Sequence, residues 1–158
     1  MKNDSPQGLG GWLILPIIGL FIFPIKILVV LTTIHLPIFL QGQWGILTNP
    51  NSEAYHFLWG PILIGEITFN IFFFVFSIFL LVILFKKKTY FPKLMITYYI
   101  ANTIFMIIFY YLAELIPAIA ETPDPESNKE LVRTIIGSVI WVPYFIVSKR
   151  VKNTFTNP

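Results

Sequence analysis

The chain contains no cysteine. Disulfide bonding, thiolate metal coordination and cysteine nucleophiles are therefore excluded, and the redox state of its compartment leaves no trace in the sequence. Charge is scarce too: Asp, Glu, Lys and Arg make up 12% of the 158 residues, against about 25% in soluble domains. With 56% of residues hydrophobic, there is too little polar surface to clothe a water-soluble core, and a lipid-facing exterior resolves the imbalance. Histidine is limited to His35 and His56, which have no carboxylates at ligand spacing, so both are expected at the surface and no metal site is expected. No phosphate-binding loop is present either: Gly8, Gly10 and Gly11 follow no strand and have the wrong spacing. They read as a flexible lead-in to an interfacial anchor, Trp12.

What the chain has in quantity is aromatic residues, 17%, and long apolar runs. About 20 apolar residues cross the roughly 30 Å hydrocarbon layer, and four windows qualify: 9–34, 58–85, 92–116 and 131–147. The first exceeds the roughly 7 to 15 residues of a signal-peptide core and no small-residue cleavage site follows it, so it is expected to be retained. The expected fold is all-α and integral to the membrane: one domain, 1–158, a four-transmembrane-helix bundle with outer loops 35–57 and 117–130 and a cytoplasmic loop 86–91. Pro16, Pro24 and Pro143 each remove a backbone donor and are expected to kink their helices.

Orientation follows from the bases. Lys2, Lys86, Lys87, Lys88, Lys93, Lys149, Arg150 and Lys152 fall on one side, and Glu53, Glu121, Asp124, Glu126 and Glu130 face the single base Lys129 on the other. The positive-inside rule puts both termini in the cytoplasm. The same pattern accounts for the basic pI and excludes a nucleic-acid partner. A further crossing through the apolar tract up to Leu40 would export the three-lysine cluster. His35 and Pro37 are instead expected to end the helix, opening an interfacial loop in which Trp44, Tyr55, Phe57 and Trp59 sit at headgroup level and 49–52 forms a turn. In the third connection, which includes Thr122 and Pro123, Ser127 and Glu130 have the spacing of a capping box for the fourth helix.

Each window carries one charge: Lys26, Glu66, Glu114 and Arg133. A charge at bilayer centre costs roughly 2.5 to 3.5 kcal/mol on insertion scales, so such residues pair, face the interior or snorkel from a helix end. Counting about 1.5 Å per residue puts Lys26 and Arg133 roughly 24 Å, and Glu66 and Glu114 roughly 30 Å, above the cytoplasmic ends. That height suits a mutually compensating network in the outer leaflet. Lys26, Glu114 and Arg133 are near enough to helix ends to snorkel. Glu66 instead begins a polar stripe with Asn70 and Ser77, Phe73 lying between them, and Asn102 adds an amide in need of an interhelical partner.

At the end of the chain, Trp141, Tyr144, Ser148, Lys149, Arg150, Lys152 and Phe155 are expected to anchor on anionic lipid, where each base contributes roughly 1 kcal/mol, or to dock a partner. The opening Gly8-Leu9-Gly10-Gly11-Trp12-Leu13, the Glu66 to Asn70 pair and the stretches 140–145 and 148–155 together resemble a bacterial inner-membrane protein family of unknown function, the domain of unknown function 2569. The resemblance covers almost the whole chain and implies four spans in the bacterial inner membrane; it transfers no mechanism.

No cofactor motif or nucleophile-and-base arrangement is present, no His or Ser being expected beside Glu66, so the chain is not expected to be an enzyme. The expected role is an accessory or assembly component whose partners are membrane lipids and a larger membrane complex or further copies of itself. The alternative is a small transporter or channel subunit using Lys26, Glu66, Asn70 and Arg133 as a polar path.

Overall fold

The computed structural model describes residues 6–122 and 124–158. Lys2 and Pro123, used above, lie outside the described residues. Four helices are long and apolar enough to cross a membrane: span 1, Gly11–Leu40; span 2, Trp59–Phe85; span 3, Phe91–Glu114; and span 4, Pro125–Val147. Among the described residues there is no strand, only an isolated bridge between Lys88 and Asn157.

Span 1 does not stop at residue 34. After a helical stretch at Ile14–Val30 it passes through a π turn, Leu31–His35, and resumes at Leu36–Leu40. Pro37 offers no N–H to the turn before it, and its ring crowds that turn's carbonyls. The widened π register, in which the Leu36 N–H reaches the Leu31 carbonyl, absorbs this. Side chains serve the carbonyls just before the turn: Thr32 Oγ1 donates to Leu28 at 2.7 Å, Thr33 Oγ1 to Val29 at 2.8 Å, and His35 Nδ1 to Val30 at 3.4 Å. His35, expected at the surface, is buried.

The connection that follows holds a short helix, Gln43–Thr48, rather than an unstructured loop; Phe39 stacks on Trp44 at 5.2 Å. At six residues that helix is too short to cross. Span 4 begins at Pro125, six residues before the expected 131, because Asp124 is the N-cap: its carboxylate accepts from the Glu126 and Ser127 amides at 3.1 and 3.3 Å, with Pro125 preset in the first turn. The expected cap, Ser127, is therefore already inside the helix. Pro16 stands in a first turn where its missing donor is unneeded, whereas Pro24 and Pro143 lie in helix interiors.

The spans pack in chain order, 1 on 2, 2 on 3 and 3 on 4. Where spans 1, 2 and 3 meet, Phe73 sits against Phe23, Tyr98 and Phe76 at centroid separations of 6.4, 5.2 and 6.3 Å. Gly65 lets span 3 approach so closely that a Cβ there would lie 2.8 Å from the Phe109 ring. Spans 3 and 4 are joined by a 2.5 Å hydrogen bond between the Thr103 and Ser138 hydroxyls, and Ser138 Oγ donates to the Tyr99 carbonyl at 3.1 Å. The outward faces are predominantly apolar, with Ile25, Phe72 and Val139 more than half exposed in the isolated chain, as a lipid-facing surface requires.

Candidate functional site

The buried and semi-buried polar groups fall into three places. Near the loop end, Glu66 meets His35, its Oε2 lying 3.4 Å from His35 Nε2. The Val30 carbonyl lies 3.4 Å from Nδ1 on the other side of the ring, so a neutral His35 donates to one of these two acceptors and a protonated His35 to both. Glu66 also borders a cavity of about 320 Å³ shared with Glu114, Tyr110 and Asp124. The expected absence of a histidine beside Glu66 is thus overturned. Its cause is the π turn, which swings a residue expected in a loop back into the helix.

The second place is the gap between spans 1 and 4. Lys26 does not pair with Glu66: its ammonium bonds Glu130 of span 4. Arg133, one turn further along, has no ionic partner among the described residues, and neither has Glu114. Lys26, Glu130, Arg133 and Asn102 all border a slot of about 260 Å³. Asn102 makes no hydrogen bond among the described residues, so the partner expected for it is not there. The single four-charge network of the sequence analysis is replaced by two separate pairs, because height along the helices was counted without their rotation. Asn70, beyond Glu66, is half-buried, while Ser77 is buried and donates to its own helix at the Phe74 carbonyl, 2.7 Å away.

The third place is the end of the bundle where the stretch from residue 6 onward meets the C-terminal segment. Ser148 caps a last short helix, Lys149–Thr154, which folds back under the bundle. Phe155 is buried and stacks on Phe91 at 4.5 Å, so it is core and not a docking contact as expected. Arg150 Nη1 donates to the Gln7 carbonyl at 3.0 Å, and its guanidinium lies over Gly11, whose φ of +60° and whose missing Cβ, 3.2 Å from Arg150 Nε if present, both require glycine. Thr154 Oγ1 accepts from the Gly8 amide at 2.8 Å. Asn157 clasps the turn between spans 2 and 3: its amide donates to Lys87 at 3.1 Å, its side chain to Lys86 at 2.8 Å, and its carbonyl accepts from Thr89 at 2.8 Å. Three segments distant in sequence thereby form one cap. Trp141 and Tyr144 sit edge to face at 5.7 Å just above it, while Lys149 and Lys152 remain exposed.

The Gly-rich opening and the basic close of the chain are thus one interlocked unit, and a family profile described as "protein of unknown function (DUF2569)" matches residues 6–156, which spans it from end to end. The chain belongs to this family. It is also 28% identical to the inner membrane protein YdgK of Escherichia coli strain K12, over the full length of both chains. No solved structure matches. With four apolar spans and this family membership, the protein is a multi-pass protein of the bacterial inner membrane.

Proposed function

We propose that this DUF2569 protein is an accessory or assembly component of a larger inner-membrane complex, or of an assembly of its own copies, that it performs no catalysis itself, and that both termini face the cytoplasm. The observation that carries this reading is the cap. Knitting the Gly-rich opening, the turn between spans 2 and 3 and the C-terminal helix into one unit fixes the positions of the exposed bases Lys86, Lys87, Lys93, Lys149 and Lys152. A lipid anchor needs only charge on a flexible tail; a fixed array of one sign favours a specific acidic surface of a partner and steers its approach. The test is affinity capture in mild detergent or native nanodiscs of the wild type and of Lys149→Glu/Lys152→Glu, positions whose side chains support no part of the cap. The wild type is expected in a species heavier than the monomer that the charge reversal releases. A wild type recovered only as monomer overturns the reading.

A second reading, a small transporter or channel subunit, is favoured by one observation: the His35–Glu66 pair lies beside a cavity bordered by two more carboxylates, Glu114 and Asp124. Proton flux into proteoliposomes that Glu66→Gln abolishes without unfolding the protein would support it; the absence of flux in the wild type removes it.

A further inference from the structure

Spans 1 and 4 do not close against each other. They are bridged at one height by Lys26 and Glu130, and on the terminal side of that bridge lies the slot already described. Its two ends differ. At the loop end stand Arg133 and the Lys26–Glu130 pair; towards the cap the walls become Phe23, Leu15 and Trp141. The middle is lined by Gly19 and Gly137, and a Cβ at either would meet nothing within 4 Å. The Lys26 and Glu130 charges cancel, so the slot carries the one net positive charge of Arg133, whose guanidinium has no ionic partner among the described residues.

Size and charge together identify the occupant. From Arg133 to Trp141 is eight residues, about 12 Å of helix. A transmembrane helix of that length and 10 to 12 Å diameter fills roughly 900 to 1,400 Å³, while the space between the walls, its open side included, is about 720 Å³. It admits a hydrocarbon chain and not a helix. A fixed cation at the head of a narrow apolar slot that opens to lipid complements an amphiphile with one anionic head and a flexible tail. We propose that this slot is a binding site for an anionic glycerophospholipid, its phosphodiester seated on Arg133 and one acyl chain laid across Gly19 and Gly137 towards Trp141. The planar guanidinium suits a phosphate through paired N–H donors, and a bond between two ions is stronger at this depth than in water. The site is separate from the cap and holds whether or not a protein partner binds there.

Native mass spectrometry of the full chain, released from nanodiscs of phosphatidylglycerol or of phosphatidylcholine, tests it. The wild type is expected to retain one phosphatidylglycerol and to prefer it over phosphatidylcholine by about tenfold, because the choline ammonium offsets the phosphodiester charge that faces Arg133 and is itself repelled by the guanidinium. Arg133→Gln is expected to remove that preference. Gly137→Leu, which fills the slot from a position with open space above it, is expected to lower occupancy of both lipids while circular dichroism and the melting profile stay unchanged. Soluble glycerol phosphate at the same concentration is expected not to compete, since it has no chain for the slot. Equal retention of the two lipids, retention unaffected by Arg133→Gln or by Gly137→Leu, or competition by glycerol phosphate alone overturns the proposal. So does a dimer that Arg133→Gln dissolves, which would assign the cation to a second copy of the chain.

Discussion

Replacing Gly65 by alanine tests the packing of spans 2 and 3 most directly. The new methyl would start 2.8 Å from Cε1 and Cζ of Phe109, whereas carbon atoms rest at about 3.5 to 4.0 Å. The ring must therefore retreat by roughly 0.7 to 1.2 Å, the difference between those separations. It is not free to do so, because Phe109 stacks along Phe105 at 6.1 Å and lies 6.3 Å from Phe69, which itself packs on Phe73 at 4.2 Å. Overpacking of this kind costs about 1 to 3 kcal/mol. Equilibrium unfolding in mixed micelles is the assay, with Gly65→Ala, Phe109→Ala and the double variant measured together. Removing the ring makes room for the methyl, so the double variant is expected to be more stable than the sum of the single effects by about 1 to 2 kcal/mol. A Gly65→Ala protein as stable as the wild type, with no coupling in the cycle, would refute the close approach of the two spans.

Four further outcomes follow from particular contacts. Tyr98 buries its hydroxyl with no hydrogen-bond partner among the described residues, so Tyr98→Phe is expected to raise stability by about 1 kcal/mol in the same unfolding assay. Phe155→Ala removes a buried, stacked ring and is expected to cost about 3 kcal/mol and to expose the C-terminal helix to limited proteolysis. Gly11→Ala is expected to cost about 1 to 2 kcal/mol from its left-handed backbone, and Arg150→Ala, which relieves the contact but not the φ, is expected not to restore it in a melting assay. The Asp124 carboxyl is held below its usual range, first by the Glu126 amide and then by the Ser127 hydroxyl. Its capping is therefore full above the unfolded value and lost as pH falls through the lower, folded one; hydrogen exchange at the Glu126 and Ser127 amides is expected to accelerate there in the wild type and to lack that step in Asp124→Ala.

The four spans were legible because about 20 apolar residues between charged or proline-rich breaks is a strong, local signal. The ends were harder. His35 and Pro37 look like a helix stop, and in an ordinary α-register they would be one; the structure keeps the helix by a π turn whose supporting hydroxyls, Thr32 and Thr33, are themselves weak helix formers. The capping-box spacing of Ser127 and Glu130 places the start of span 4 too late; Asp124 is the cap because it reaches two amides and Pro125 presets the first turn. The Gly-rich opening and the Lys-Arg close were both visible as motifs, but only the fold brings them together across more than 140 residues of chain.

The ionisable residues show what a one-dimensional count of depth can and cannot carry. Rise along a helix fixes height, so grouping Lys26, Glu66, Glu114 and Arg133 in one half of the membrane needs only the span boundaries. Pairing needs azimuth, and each residue turns a helix by 100° (3.6 residues per turn), so an error of two residues in a boundary is enough to exchange partners. The two unforeseen pairs, His35–Glu66 and Lys26–Glu130, both lie where a span boundary differs from the expected one. Ending span 1 at 34 removed His35 from the helix face that meets Glu66, and starting span 4 at 131 left Glu130 in a loop when it is the residue that meets Lys26. Once those two partners are restored, the positive and negative groups no longer form one mutually compensating network. Arg133 and Glu114 are left over in different cavities, one bordering the lipid slot and the other bordering the space beside His35 and Glu66. A charge that folding leaves without a partner at membrane depth is held there against a free-energy cost, which makes it a candidate for function. That argument ranks Arg133→Gln above Lys26→Gln as the informative variant. Losing Lys26 strands Glu130 and is expected to destabilise the bundle. Losing Arg133 is expected to leave unfolding in mixed micelles unchanged or improved and to act only on what the slot binds. A loss of stability in Arg133→Gln larger than in Lys26→Gln would show that Arg133 holds the spans together instead.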